Sequence, residues 1–291
     1  AAEAAQVMQM PFIIIGSVVI LIALGISFIK LPVIQGDETI ASKSVWKKPQ
    51  VLLGALGIFC YVGAEVGTAS QTSTYLEEIV GIVKNEAVKL TAIYWGGQMI
   101  GRFFGSILLG NLPKDKKYKY CGFVLVFAFI VGWFITSLEK KEGLYVFESN
   151  LMDGAIFFFI AIINFLLMLW GKGKANVSLG IFASVNVTLV LAAIVLPPFL
   201  GMWCLLSVGF FNSIMFPNIF ALAVKDLDPS EMPLASGIIN TLIVGGAVVP
   251  LLMGWMTDTF SVKAAFILSL ICYSYIVFFA LKGSKYRLKT I

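Results

Sequence analysis

The sequence predicts an all-α integral membrane protein, a helical bundle of about nine transmembrane helices, and three observations carry that expectation. Of its 291 residues 59% are hydrophobic and only 13% charged, about half the ~25% charge of a water-soluble domain. The mean hydropathy is +0.94. The apolar residues form continuous uncharged runs of the ~20 residues that carry a helix across a bilayer. Membrane β-barrel strands alternate over ~10 residues, and these runs do not alternate.

The runs fall at 4–29, at 49–76 broken only by Glu65, and at 90–113 broken only by Arg102. They continue at 120–138, 154–171, 175–224, 232–257 and 264–281. The sixth run is about twice the ~20 residues of one crossing. Pro197 and Pro198 remove two backbone donors near its middle, which divides it into spans 176–196 and 200–223. Nine spans with the N-terminus outside place 15 Lys and Arg in inner segments against 5 in outer ones, with Arg102 inside a span. The positive-inside rule predicts that bias, and with it a cytoplasmic C-terminus. The basic runs Lys114–Lys119 and Lys282–Lys289 read as topology signals rather than nucleic-acid patches. Connecting loops are short, the longest at 31–50 and 138–150.

The sequence has no histidine, so it can build no His-ligated zinc site, His-based triad or haem with a proximal His. Its four cysteines each stand alone in apolar surroundings and read as small core residues. No phosphate-binding loop, nucleophile elbow or zinc-protease motif is present. No cofactor or metal is expected.

An ionisable group within a span faces a bundle interior or a cavity and marks a functional site by default. Tyr61, Glu65, Thr68, Thr72 and Tyr75 recur at helical spacing, one polar stripe on an otherwise apolar helix. They are expected to wall a polar cavity, the alternative being an interhelical hydrogen-bond seam. Tyr94, Gln98 and Arg102 share a face of the next span, with Gly97, Gly101 and Gly105 opposite for close packing. Arg102 is expected to latch the inner face. Pro217 should kink its helix between Asn212 and Asn218. Asn240, Gly245, Gly246 and Pro250 mark another helix built to bend, with Asp258 near its end.

Several of these segments resemble the bacterial glucose/galactose transporters of the fucose/galactose/glucose proton-symporter group, in the major facilitator superfamily. They are Gly54–Val66 around Glu65, Tyr94–Ser106 around Arg102, Gly209–Pro217 around Asn212, and Ala235–Gly237 with Ile243–Pro250 and Gly254–Asp258. The resemblance runs from about Pro11 to Gly283. It implies a major-facilitator-like bundle in which 1–30 is the sixth helix, closing the N-terminal half, and 31–50 the cytoplasmic loop between halves. Residues 51–291 are then the C-terminal half, with an inserted two-helix segment at about 120–171. On this view the first five helices are missing, and the chain, which opens on Ala1 without Met, is a fragment.

The resemblance further implies proton-coupled hexose uptake by alternating access at the bacterial inner membrane, with H+ the expected ion and Na+ the alternative. Glu65 and Asn212 match the group's seventh-helix glutamate and tenth-helix asparagine as sugar-pocket residues. Gln98, Asn240, Tyr61, Thr68 and Thr72 join them as cavity candidates from helical geometry, and Arg102, Pro217, Pro250 and Asp258 as gating or structural residues. The expected partners are a hexose, membrane lipid and the missing N-terminal half, with no nucleic acid. An exporter of another small molecule, a non-transporting scaffold and a membrane enzyme are the competing classes; Glu65 argues against the scaffold.

Overall fold

The structure, a computed structural model, describes residues 2–28, 45–141, 144–149 and 151–286. The chain divides into two units, Ala1–Glu38 and Thr39–Ile291. The first contains one helix, α1 (Ala2–Ser27), exposed at every position from Ile13 to Phe28. Ser17 and Ser27 turn their hydroxyls back onto the carbonyls of Ile13 and Leu24, which keeps the helix surface apolar. Most of the expected loop at 31–50 lies outside the described residues.

The second unit is a helical bundle. Its elements are α2 (Pro49–Tyr75), α3 (Lys84–Leu109), α4 (Lys114–Ser137), α5 (Leu151–Trp170), α6 (Ala175–Val195) and α7 (Pro198–Asn212). They continue with α8 (Met215–Ala223), α9 (Met232–Thr241), α10 (Gly245–Thr259) and α11 (Val262–Leu281). Pro49 and Pro198 open α2 and α7, where the missing N–H has no helical partner to lose. The proline pair at 197–198 thus separates α6 from α7 as the sequence predicts. A π-turn, Leu76–Val80, ends α2, and Gly81 closes it at φ 82°, a left-handed position suited to glycine.

Among the described residues six helical stretches are long and apolar enough to cross a bilayer, and seven if the bent pair α7 and α8 counts as one. The sequence expects nine. Gln98, Arg102 and a ladder of glycines dilute the apolar character of α3.

Two local expectations are corrected, and a third is located. The basic run Lys114–Lys119, expected as a loop, begins α4; Asp115 in its first turn suits the helix dipole. Lys117 Nζ donates to the Leu108 carbonyl at 2.8 Å, which satisfies an end group of α3. The loop at 138–150 contains an antiparallel hairpin, β1 (Leu138–Lys141) with β2 (Leu144–Phe147). The bend expected from Pro217 falls between Asn212 and Asn218: the helix breaks at Ser213 and Ile214, and α7 and α8 meet at 42°. Proline disfavours helical geometry just upstream and leaves the Ser213 carbonyl without its helical donor.

The centre of the bundle is α2, which packs on α3, α7, α8, α9, α10 and α11. The α4–α5 pair lies at the edge, against α3 and α7. Lys48 Nζ meets Glu231 Oε2 at 2.5 Å, tying the start of α2 to the start of α9. Glycines set the close crossings. A Cβ at Gly97, Gly101 or Gly105 would strike Phe210, Ser213 or Ile214, and one at Gly209 would strike the Tyr94 carbonyl. The ladder on α3 therefore does the packing its spacing predicts. Gly209→Ala is expected to lower the melting temperature sharply, since overpacking a tight core costs about 1–3 kcal/mol. Gly122→Ala, where a methyl group meets nothing within 4 Å, is the control and should melt like the parent in the same thermal assay.

Candidate functional site

One turn of α2 separates Tyr61 from Glu65, and the Tyr61 hydroxyl donates to Glu65 Oε1 at 2.6 Å. From α3, Gln98 Nε2 donates to the same oxygen. Arg102 Nη2 approaches it at 3.5 Å. Gln98 and Arg102 are four residues apart and so reach the carboxylate from one face. Glu65 is 8% exposed, whereas the Arg102 side chain is 60% exposed. Screening at that exposure leaves the ion pair worth roughly 0–1 kcal/mol, so Tyr61 and Gln98 are the main holders of the carboxylate.

A second hub forms at Asn212, the last residue of α7. Its Nδ2 donates to the Tyr94 hydroxyl oxygen at 2.5 Å. Its Oδ1 accepts from Asn186 Nδ2 of α6 and from the Tyr273 hydroxyl of α11, both at 2.9 Å. Tyr94 in turn donates to the Glu65 backbone carbonyl at 2.9 Å. The two hubs are therefore one network, built from α2, α3, α6, α7 and α11. Asn212, Asn186, Tyr94 and Tyr273 are fully buried. Two acceptors in the network, Gln98 Oε1 and Asn186 Oδ1, are buried with no hydrogen-bond partner.

Six of the residues singled out in the sequence thus meet: Tyr61, Glu65, Tyr94, Gln98, Arg102 and Asn212. Others do not. Thr68 shares a 2.8 Å hydrogen bond with Ser269 of α11, and Thr72 donates to the Thr68 carbonyl of its own helix at 2.7 Å. Neither holds Glu65: Thr68 bonds across to α11 and Thr72 within α2. Asn240 is exposed near the end of α9, away from the network. Asp258 is exposed near the end of α10. Pro250 lies within α10, and the irregular stretch before it is the 3-10 turn Leu242–Val244. Pro217 and Arg102 line a cleft of about 530 Å³ with Ser213 and Phe216, which borders the network through Arg102. The sequence reading missed Asn186 and Tyr273. Asn186 lies between Ser184 and Thr188, and Tyr273 directly before Ser274 and Tyr275, so neither stands out from its own segment.

No family model matches the chain. The glucose/galactose transporter of Brucella abortus is 30% identical over 287 residues, covering 97% of this chain and 55% of that protein. The L-fucose-proton symporter of Haemophilus influenzae is 30% identical over 222 residues, covering 71% of this chain and 49% of that protein. This chain is a homologue of these sugar transporters. The homology agrees with the group that the motifs around Glu65, Arg102 and Asn212 resemble. In fold the chain matches the crystal structure of the fucose:proton symporter of Escherichia coli, with a TM-score of 0.62 at 22% identity over 96% of this chain and 55% of that one. The chain spans about half the length of the curated relatives it matches. These homologues are named as transporters, not enzymes.

Proposed function

We propose that this chain is the C-terminal part of a proton-coupled hexose transporter that works by alternating access, with Glu65 and Asn212 in the sugar pocket. One observation carries the reading: a buried carboxylate, Glu65, bonded by the Tyr61 hydroxyl, which also lies 3.2 Å from the Asn212 carbonyl, in a homologue of proteins named for glucose, galactose and fucose. A carboxylate inside a span is too costly to keep without a role. A hexose presents several hydroxyl donors. Glu65, Gln98 Oε1 and Asn186 Oδ1 offer acceptors to them, and a sugar hydroxyl that takes the place of Tyr61 or Gln98 on Glu65 leaves that donor to a sugar oxygen.

The wider reading has nine crossings, residues 120–171 as an added pair, and a cytoplasmic C-terminus at the inner membrane. The 15 to 5 distribution of Lys and Arg supports this orientation. The proton-carrying carboxylates belong to the half that precedes this chain, and the two halves rock about the central site. The break at Ser213–Ile214 gives the pocket helix a place to flex. Sodium is the alternative coupling ion.

A structural reading also has an observation in its favour. Asn212 is fully buried and spends its amide on Tyr94, Asn186 and Tyr273, as interhelical glue would. Uptake tests the transport reading. Vesicles containing the full-length protein should accumulate labelled glucose or galactose when a proton gradient is imposed and lose that accumulation with an uncoupler. The 291-residue chain alone should insert and accumulate none. Accumulation that follows a sodium gradient would replace H+ by Na+; none under either gradient would contradict transport of these sugars.

A further inference from the structure

Phe210 stands two residues before Asn212, and its surroundings give the peripheral α4–α5 pair a task. The α7 helix ends at Asn212, so carbonyls in its last turn lack helical donors. The Phe210 carbonyl accepts instead from Ser213 Oγ at 2.7 Å and from Asn164 Nδ2 of α5 at 2.8 Å. The Phe210 ring lies over Gly97 of α3 and packs on Phe157 of α5 with ring centroids 4.8 Å apart. Phe157 is seated in turn on Gly132 of α4. Asn164, Phe157 and Phe210 are fully buried. Asn164 is the only amide side chain in α5, and it donates to one of the carbonyls that the end of α7 leaves without a helical donor.

We infer that the α4–α5 pair is a clamp on the α7–α8 break, with Asn164 as a positioning residue that holds Phe210 and thereby fixes where Asn212 sits. A carbonyl in an apolar interior must find a donor. A donor supplied from another helix fixes which residue ends α7. Without Asn164 the break is free to shift, and the hub residue two positions on shifts with it. The aromatic contact supplies the second point of hold, so the clamp grips both backbone and ring. The consequence for affinity rests on the sugar-pocket reading of Asn212; the clamp itself does not.

The test is hydrogen–deuterium exchange on full-length Asn164→Leu, which keeps the side-chain volume and removes the donor, beside equilibrium binding of labelled hexose. Amides from Phe210 to Phe216 should exchange about three- to tenfold faster, the range one interhelical bond supports, while α11 keeps its protection. Hexose affinity should fall by a similar factor. Asn164→Gln, which retains an amide donor, should recover part of both. Asn164→Ser, polar but too short to reach, gives the same readings if the Leu variant does not accumulate. Unchanged exchange at the break, or faster exchange spread equally through α11, overturns the clamp. Faster exchange at the break with unchanged affinity supports the clamp and removes Asn212 from the sugar pocket.

Discussion

Asn212→Leu is expected to lower the stability of the bundle by about 2–5 kcal/mol, since three interhelical hydrogen bonds end on this side chain and each is worth roughly 0.6–1.7 kcal/mol within a membrane. The substitution keeps the volume and leaves Tyr94, Asn186 and Tyr273 facing an apolar group. These residues lie on α3, α6 and α11, so the loss is felt across the bundle rather than at one contact. A fall in detergent melting temperature of several degrees checks it. Asn212→Asp keeps the shape but puts a second buried carboxylate into the span, with an oxygen facing the Tyr94 hydroxyl oxygen, and should fall at least as far. Equal melting of Asn212→Leu and the parent would mean that the hub contributes nothing to stability.

Glu65→Ala should have the larger effect on function. The carboxylate is the one ionised acceptor in the network, and a charge-assisted hydrogen bond from a sugar hydroxyl is worth about 1.5–3 kcal/mol, roughly a tenfold to hundredfold change in affinity. Alanine also strands the Tyr61 hydroxyl and the Gln98 amide, which now donate to Glu65, so some stability should go with the affinity. Arg102 is a weaker partner at 3.5 Å and largely exposed. Arg102→Gln is therefore expected to change melting little, and its effect on affinity should be smaller than that of Glu65→Ala.

Part of this arrangement is legible in the sequence for physical reasons. A helix that crosses a bilayer satisfies its own backbone, so its length and apolar character are written in one continuous run; the runs at 49–76 and 264–281 lie in helices, and that at 120–138 does so up to Ser137. The Tyr61–Glu65 bond and the shared face of Gln98 and Arg102 follow from a spacing of four. The glycine ladder of α3 follows from the same period. Contacts between distant residues have no such signature. Asn186 and Tyr273 reach Asn212 from helices far away in the chain, and nothing in their own segments says where they point. Thr68 and Thr72 fit the stripe by spacing, yet Ser269 captures one and the backbone of α2 the other. Pro217 locates its own bend, because a proline frees the carbonyl four residues back and that carbonyl belongs to Ser213. The hairpin after α4 is a local pairing of short segments that hydropathy treats as loop.

The central claim is that Glu65 belongs to the sugar pocket and not only to the seam between α2 and α3. The most direct measurement is equilibrium binding of labelled hexose to full-length Glu65→Gln, taken together with its melting temperature. Glutamine keeps the shape and an acceptor oxygen for Tyr61 but loses the charge, so the account predicts affinity weakened about tenfold or more with melting close to that of the parent. Lowered melting with unchanged affinity would contradict it and make Glu65 a structural residue.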